Sequence, residues 1–125
     1  MIALCADLNA WAREPQRYWR NAPPAVQDMM MPSIQKYYDA KPEVQRDEAM
    51  RSCGILAQTL MLTAKSMGYD SCPMDGFDFN AVGQLIYLPT DHVVTMLLAI
   101  GKATAAPWSR SGQVSLNDVM IENRF

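Results

Sequence analysis

The stretch SCPMDGFDFN, residues 71–80, joins a hydrophobic segment to the start of a predicted helix. Its Pro73 to Gly76 portion combines proline, aspartate and glycine, which is typical of a tight turn. Asp78 or Asn80 suits the N-cap of a short helix that we expect to end near Leu88. The pattern alone fits a plain strand-to-helix connector as well as a binding site, and its meaning depends on the segments around it.

The segment upstream of the turn is the strongest helix in the sequence, Pro42 to Met67, with proline in its first turn and acidic residues in its N-terminal half. From Ala49 to Ala64 apolar residues cover nearly every face, which is typical of a helix surrounded by protein. A chain of 125 residues has few other elements to cover such a helix, so we expect a partner subunit to help. Gly68 is the predicted C-cap.

Two further apolar runs predict buried strands. HVVTMLLAIG, His92 to Gly101, is nearly continuous in apolar residues, and IALCA, Ile2 to Ala6, is a shorter run without a helical period. YDSCP, residues 69–73, predicts a short strand or extended segment that leads into the turn.

The region between the first strand and the long helix is interrupted by prolines. We expect only short helices there: one in PQRYWRNA, one in PPAVQDMM and a separate one in PSIQKYYDAK. Aromatic side chains on loops and short helices either line pockets or fill a small core, and the sequence leaves both readings open. The aromatic residues of this region are Trp11, Tyr18, Trp19, Tyr37 and Tyr38.

Composition and charge exclude several classes of protein. The formal net charge is -2 and no basic stripe appears, which argues against nucleic-acid binding. The longest uncharged run, Ser52 to Ala64, is too short to span a bilayer, and the N-terminus lacks a signal-peptide pattern. Cys5, Cys53 and Cys72 are far apart and have no histidine nearby, so we expect reduced, mostly buried thiols of a cytoplasmic protein rather than a metal site.

The usual sets of catalytic side chains are missing from the sequence. His92 is the only histidine, and we expect a structural or solvated role for it. No glycine-rich phosphate loop is present. Either the protein is not an enzyme, or a cofactor carries the chemistry and the protein mainly holds it.

The ordered series of segments resembles the C-terminal two-thirds of the FMN-dependent nitroreductase family. The series begins with a short strand, an irregular region rich in aromatic residues, and an apolar helix that ends in AKSMGYDSCP. It continues with GFD, a short helix that ends in LP, and the strand VVTMLLAIGKA. An arm that contains APWSR and a final SLNDV complete it. Its most specific part is MGYDSCPMDGFD followed by the helix, the strand and Gly101.

The resemblance implies an α+β fold, with residues 1–125 as a single nitroreductase-like domain: an α-β-α sandwich around a mixed, largely antiparallel sheet. It also implies an intertwined homodimer with FMN at the interface and C-terminal arms that wrap the neighbouring subunit. That arrangement would cover the apolar helix. Family members begin with a flavin-binding N-terminal segment that has no counterpart here, so we expect the N-terminal third of the domain to be lacking.

The same resemblance assigns the flavin ring to the turn. The backbone N–H groups of Asp75 and Gly76 match those that reach flavin N5, and Pro73 and Met74 match the residues beside the ring. Glycine lets the backbone approach a flat ring closely. An N–H donor at N5 can tune the atom that accepts the hydride.

Two other positions follow from the resemblance. Arg110 in the arm matches a basic residue that binds the flavin phosphate; a second basic residue near it is missing, and Gln113 is the nearest polar alternative. Tyr37 and Tyr38 are the nearest match to aromatic residues that cover the flavin as a substrate lid, often from the other subunit.

The implied activity is that of an NAD(P)H-dependent oxidoreductase with FMN as cofactor. Hydride passes from the nicotinamide to flavin and then to a small-molecule acceptor, such as a nitroaromatic, a quinone or an enone, in a ping-pong cycle. No catalytic side chain and no metal are implied. The alternative is a truncated, non-catalytic remnant of the family that dimerises and binds flavin weakly or not at all.

Overall fold

The computed structural model describes residues 1–124 and contains one antiparallel sheet. Its strands are β1 (Ile2–Asp7), β2 (Asp70–Met74) and β3 (His92–Gly101), and their spatial order is β1-β3-β2. The three predicted strands are therefore confirmed. The longest and most apolar strand, β3, lies in the centre, where its neighbours protect both of its edges.

A β-bulge interrupts the pairing of β1 with β3. Leu4 lies opposite Met96 and Cys5 lies opposite Val94, which leaves Thr95 as an extra residue on β3. The Thr95 hydroxyl donates a hydrogen bond of 3.0 Å to the Leu4 carbonyl and so satisfies an acceptor beside the bulge.

The long helix, α2 (Pro42–Ser66), packs against the sheet along one face. That face contains the small residues Cys53, Ala57 and Ala64, which let helix and sheet approach closely. The buried residues of the sheet are Leu4, Val94 and Leu98. On the opposite face, Ile55 is 70% exposed and Leu62 is 63% exposed, so the expectation of a helix enclosed on all sides is not met within the single chain.

The predicted cap at the end of α2 is confirmed in detail. Gly68 adopts a left-handed backbone with φ of 75°, which glycine accepts without strain. The Tyr69 N–H donates to the Ala64 carbonyl at 2.8 Å, and the Gly68 N–H donates to the Lys65 carbonyl at 3.0 Å. This pair of bonds is the Schellman motif, and it turns the chain back into β2.

The region between β1 and α2 is more regular than the sequence predicts. The prediction of two separate helices around Pro32 is wrong: one helix, α1 (Pro24–Tyr38), runs through that proline. Pro32 has no N–H for the preceding turn, but it is exposed, so water can reach the unpaired carbonyl. In addition, the Ser33 hydroxyl donates to the Met29 carbonyl at 2.9 Å. A short 3-10 helix, Pro15–Tyr18, precedes α1.

The remaining elements are α3 (Phe79–Leu85) and α4 (Leu116–Val119). Beyond β3, residues 102–124 form an exposed segment, here called the C-terminal arm. Helices with an antiparallel sheet make this an α+β protein, as predicted. Within residues 1–124, no helix combines the length and the apolar character needed to cross a bilayer.

Candidate functional site

The turn after β2 begins later than predicted. Pro73 and Met74 lie within β2, opposite Leu98 and Leu97 of β3, so the turn starts at Asp75 rather than at Pro73. Proline is tolerated in this strand because, among residues 1–124, β2 lies at the edge of the sheet.

The backbone N–H groups of Asp75 and Gly76 are exposed donors. Neither donates a hydrogen bond to another residue in the described part of the chain. A Cβ added at Gly76 would have no atom within 4 Å, so the space in front of this residue is open. The turn therefore presents two unpaired donors beside a glycine, a geometry that suits close contact with a flat ring.

The helix after the turn is capped by Asp78. Its Oδ1 accepts a hydrogen bond of 3.0 Å from the Ala81 N–H, which settles the choice between Asp78 and Asn80 as the N-cap. The rings of Phe77 and Phe79 pack with their centroids 4.3 Å apart. These contacts fix the direction in which the chain leaves the turn.

A cleft of about 800 Å³ borders the turn, between α2, α3 and the start of β3; we call it the α2–α3 cleft. Asp75 lies at its edge, which joins the cleft to the exposed donors of the turn. The sequence prediction missed this cleft because its walls come from three segments that are far apart in the chain. Its polar and aromatic lining residues include Arg46, Asp75, Asn80, Gln84, Tyr87 and His92.

His92 is oriented by its neighbour and forms part of a charged cluster. Its Nδ1 atom lies 2.7 Å from Oδ1 of Asp91, and Asp91 also pairs with Arg13. The hydrogen bond with His92, together with the Arg13 charge, lowers the pKa of Asp91. Ligand atoms of Asp7, Asp91 and His92 lie within 4.8 Å of one another, but the single Arg13 guanidinium contacts both carboxylates and offsets part of their charge.

The two tyrosines predicted as a substrate lid lie elsewhere. Tyr38 lines a second cavity of about 580 Å³ between β1, α1 and α2, where its ring stacks on Trp11 with centroids 6.0 Å apart. Burial and then the Glu48 charge raise the pKa of Tyr38. Tyr37 meets Tyr38 edge-on at 4.8 Å and is 51% exposed.

The predicted phosphate-binding residue, Arg110, lies in the exposed C-terminal arm. Its guanidinium donates to the side-chain oxygen of Gln113, its predicted polar neighbour. Within residues 1–124 the structure therefore does not gather the predicted residues into one pocket. Asp75 borders the α2–α3 cleft, Tyr38 lines the second cavity, and Arg110 lines neither of them.

A family model and individual known proteins that resemble this chain agree with one another. The model of the nitroreductase family matches residues 6–102. Protein DrgA from Synechocystis sp. is 51% identical over 111 residues, which is 88% of this chain and 53% of DrgA. YdgI from Bacillus subtilis, assigned as an NAD(P)H nitroreductase, is 32% identical over 110 residues, 82% of this chain and 53% of YdgI. The chain thus spans about half the length of these relatives.

A solved structure shares the fold. A protein from Exiguobacterium sibiricum, assigned to the nitroreductases and solved in complex with FMN, superposes with a TM-score of 0.80 at 27% identity. The superposition covers 95% of this chain and 60% of that protein.

Proposed function

The chain belongs to the nitroreductase family, and from that premise we propose that it acts as an FMN-dependent NAD(P)H oxidoreductase on nitroaromatic, quinone or similar acceptors. The observation that carries this proposal is the turn after β2. Its two unpaired N–H donors and open glycine fit the edge of a flavin ring. The E. sibiricum relative, which shares the fold, was solved with FMN.

The protein's own contribution is to hold and orient the flavin. The N–H groups of Asp75 and Gly76 would donate to flavin N5, while Pro73 and Met74 would lie beside the ring. When bound, FMN supplies a ring that takes hydride from the nicotinamide and passes it to the acceptor. We assign rate acceleration to positioning of the reactants and to these backbone donors.

We further propose that the functional form is a homodimer. The exposed face of α2 carries Ile55 and Leu62, and the arm exposes Trp108, which is 98% accessible. Large apolar side chains exposed together are typical of an interface. In such a dimer, Arg110, Tyr37 and Tyr38 of a second copy would approach the Asp75 turn, which they do not reach within one chain. The three free cysteines agree with a cytoplasmic setting.

The experiment is a titration of the purified chain with FMN, followed by quenching of flavin fluorescence. We expect binding, and then NAD(P)H oxidation that depends on an added quinone. Initial rates at several acceptor concentrations should give the parallel reciprocal plots of a ping-pong cycle. Absence of flavin binding would overturn the proposal. Flavin binding without hydride transfer would favour the second candidate, a non-catalytic dimerisation and flavin-binding module, which is motivated by the chain's coverage of about half of its relatives.

A further inference from the structure

We propose that the α2–α3 cleft binds the acceptor substrate, and that this substrate is an aromatic carboxylate whose charge pairs with Arg46 and whose ring packs on Tyr87. The proposal rests on the proposed function, since it names the class of acceptor. It is carried by two features of the cleft: an exposed arginine that forms no ion pair within residues 1–124, and an aromatic residue in a left-handed backbone conformation.

The unpartnered cation is Arg46, near the start of α2. It forms no ion pair among residues 1–124, whereas Arg13 and Arg51 each contact two carboxylates. Arg46 lines the cleft together with Asn80 and Gln84, whose amide groups can donate to the same anion. A guanidinium with free donors at the wall of a cleft is suited to bidentate recognition of a carboxylate.

Tyr87 occupies a position at which glycine is usual. It follows the last turn of α3, its φ is 53°, and its N–H donates to the Gln84 carbonyl at 3.1 Å. The Leu88 N–H donates to the Gly83 carbonyl at 2.8 Å, so Tyr87 fills the left-handed position of a Schellman motif. A bulky residue in this conformation is strained.

The side chain of Tyr87 gains little from folding to offset that strain. It is 91% exposed, yet it lines the cleft. Residues that the surrounding structure holds in a strained backbone conformation cluster at active sites and ligand-binding sites. An exposed phenol ring at the rim of the cleft offers a flat surface for a second aromatic ring.

The position of the cleft connects it to the proposed chemistry. Asp75, at its edge, belongs to the turn whose N–H groups would contact the flavin, and it is the only carboxylate among the lining residues. We expect the opposite end of a ring whose carboxylate binds Arg46 to face the turn. His92, fixed by Asp91, adds a ring nitrogen to the wall on the β3 side.

The test measures binding of 4-nitrobenzoate and of its neutral analogue 4-nitrobenzamide to the purified chain by titration calorimetry. We expect the anion to bind more tightly. In Arg46→Gln the preference for the anion should fall about tenfold, since a charge-assisted bidentate contact is lost. The matched control is Arg20→Gln, which removes an exposed arginine that lines neither this cleft nor the second cavity and should leave the preference unchanged.

Tyr87→Gly separates binding from folding. Relief of the left-handed strain should raise the thermal midpoint, whereas affinity for both probes should fall about fivefold because one stacking surface is lost. Equal affinity for the two probes in the wild-type chain, or an unchanged preference in Arg46→Gln, would overturn the inference. Calorimetry needs no flavin turnover, so this failure is distinguishable from failure of the proposed oxidoreductase activity, which is measured by FMN binding and NAD(P)H oxidation.

Discussion

The Nδ1 atom of His92 lies 2.7 Å from Oδ1 of Asp91, at the point where β3 begins beside the α2–α3 cleft. This hydrogen bond, with the nearby Arg13 charge, lowers the pKa of Asp91 in the folded protein. The ionised Asp91 therefore stabilises the fold above the unfolded pKa of about 3.9, and this stabilisation is lost as the pH falls through the lower folded value.

Asp91→Asn should accordingly be less stable than the wild-type chain at pH 7, and the difference should shrink toward zero in acid. Urea unfolding at a series of pH values measures this. Asp28→Asn is the matched control, because Asp28 is exposed on α1 and forms no ion pair within the described residues. A difference between Asp91→Asn and wild type that persists unchanged at pH 3 would contradict the assignment.

Gly76→Val should weaken FMN binding by at least about tenfold while changing the free energy of unfolding by less than about 0.5 kcal/mol. The fold tolerates the change because a Cβ at Gly76 meets no atom within 4 Å, whereas the branched side chain would occupy the space proposed for the flavin ring. Flavin titration and urea unfolding measure the two effects. Gly101→Val, at an equally open position at the end of β3, should leave FMN affinity unchanged. Equal affinity of Gly76→Val and wild type would remove Gly76 from the site.

Asp78→Ala should destabilise the protein by about 1 kcal/mol, because the Ala81 N–H loses its acceptor at the start of α3. Asp78→Asn keeps a side-chain oxygen and should retain most of the stability. The control is Asn80→Ala, since Asn80 lies inside α3 and makes no cap. Thermal unfolding of the three variants distinguishes them, and an equal loss in Asp78→Ala and Asn80→Ala would refute the capping role.

The sequence predicted those parts of the fold that depend on local chemistry. Gly68 is predictable as a cap, and the N-cap of α3 is narrowed to Asp78 or Asn80, because the side chain of a residue, or the lack of one, determines the bonds it can make. The strands are predictable because a short, continuous apolar run without a helical period is typical of a buried strand. The central place of β3 could not be read from its sequence, since strand order depends on contacts between distant segments.

The candidate site was less predictable for the same reason. Arg46 and Tyr87 are ordinary residues in the sequence, and only the fold places both in one cleft. The left-handed backbone of Tyr87 has no signal at all, because the usual residue at that position is glycine. The lid role of Tyr38 stays a prediction: within one chain its ring stacks on Trp11 in the second cavity, and the sequence holds no signal of that contact.

Pro32→Ala should stabilise the protein by about 1–3 kcal/mol. The helix α1 already runs through this position, so alanine can supply the missing N–H without any change of path. Pro24→Ala is the matched control: Pro24 lies in the first turn of the same helix, where its N–H would have no partner, and the effect should stay below about 0.5 kcal/mol. Equal effects of the two substitutions on the thermal midpoint would show that the internal proline is not strained.

Leu62→Asp tests the proposed homodimer. Ile55 and Leu62 lie seven residues apart on the same face of α2 and are 70% and 63% exposed in the single chain, so a second copy that covers them would bury both side chains. A carboxylate at position 62 would then be buried without a partner, which should raise the dimer dissociation constant at least about 100-fold.

Light scattering coupled to size exclusion measures the oligomeric state, and circular dichroism checks that the fold is retained. Asn21→Asp adds the same charge at an exposed site in the loop before α1 and should leave the dimer intact. A dimer equally stable in Leu62→Asp would place the interface elsewhere, and a monomeric wild-type chain would refute the dimer itself.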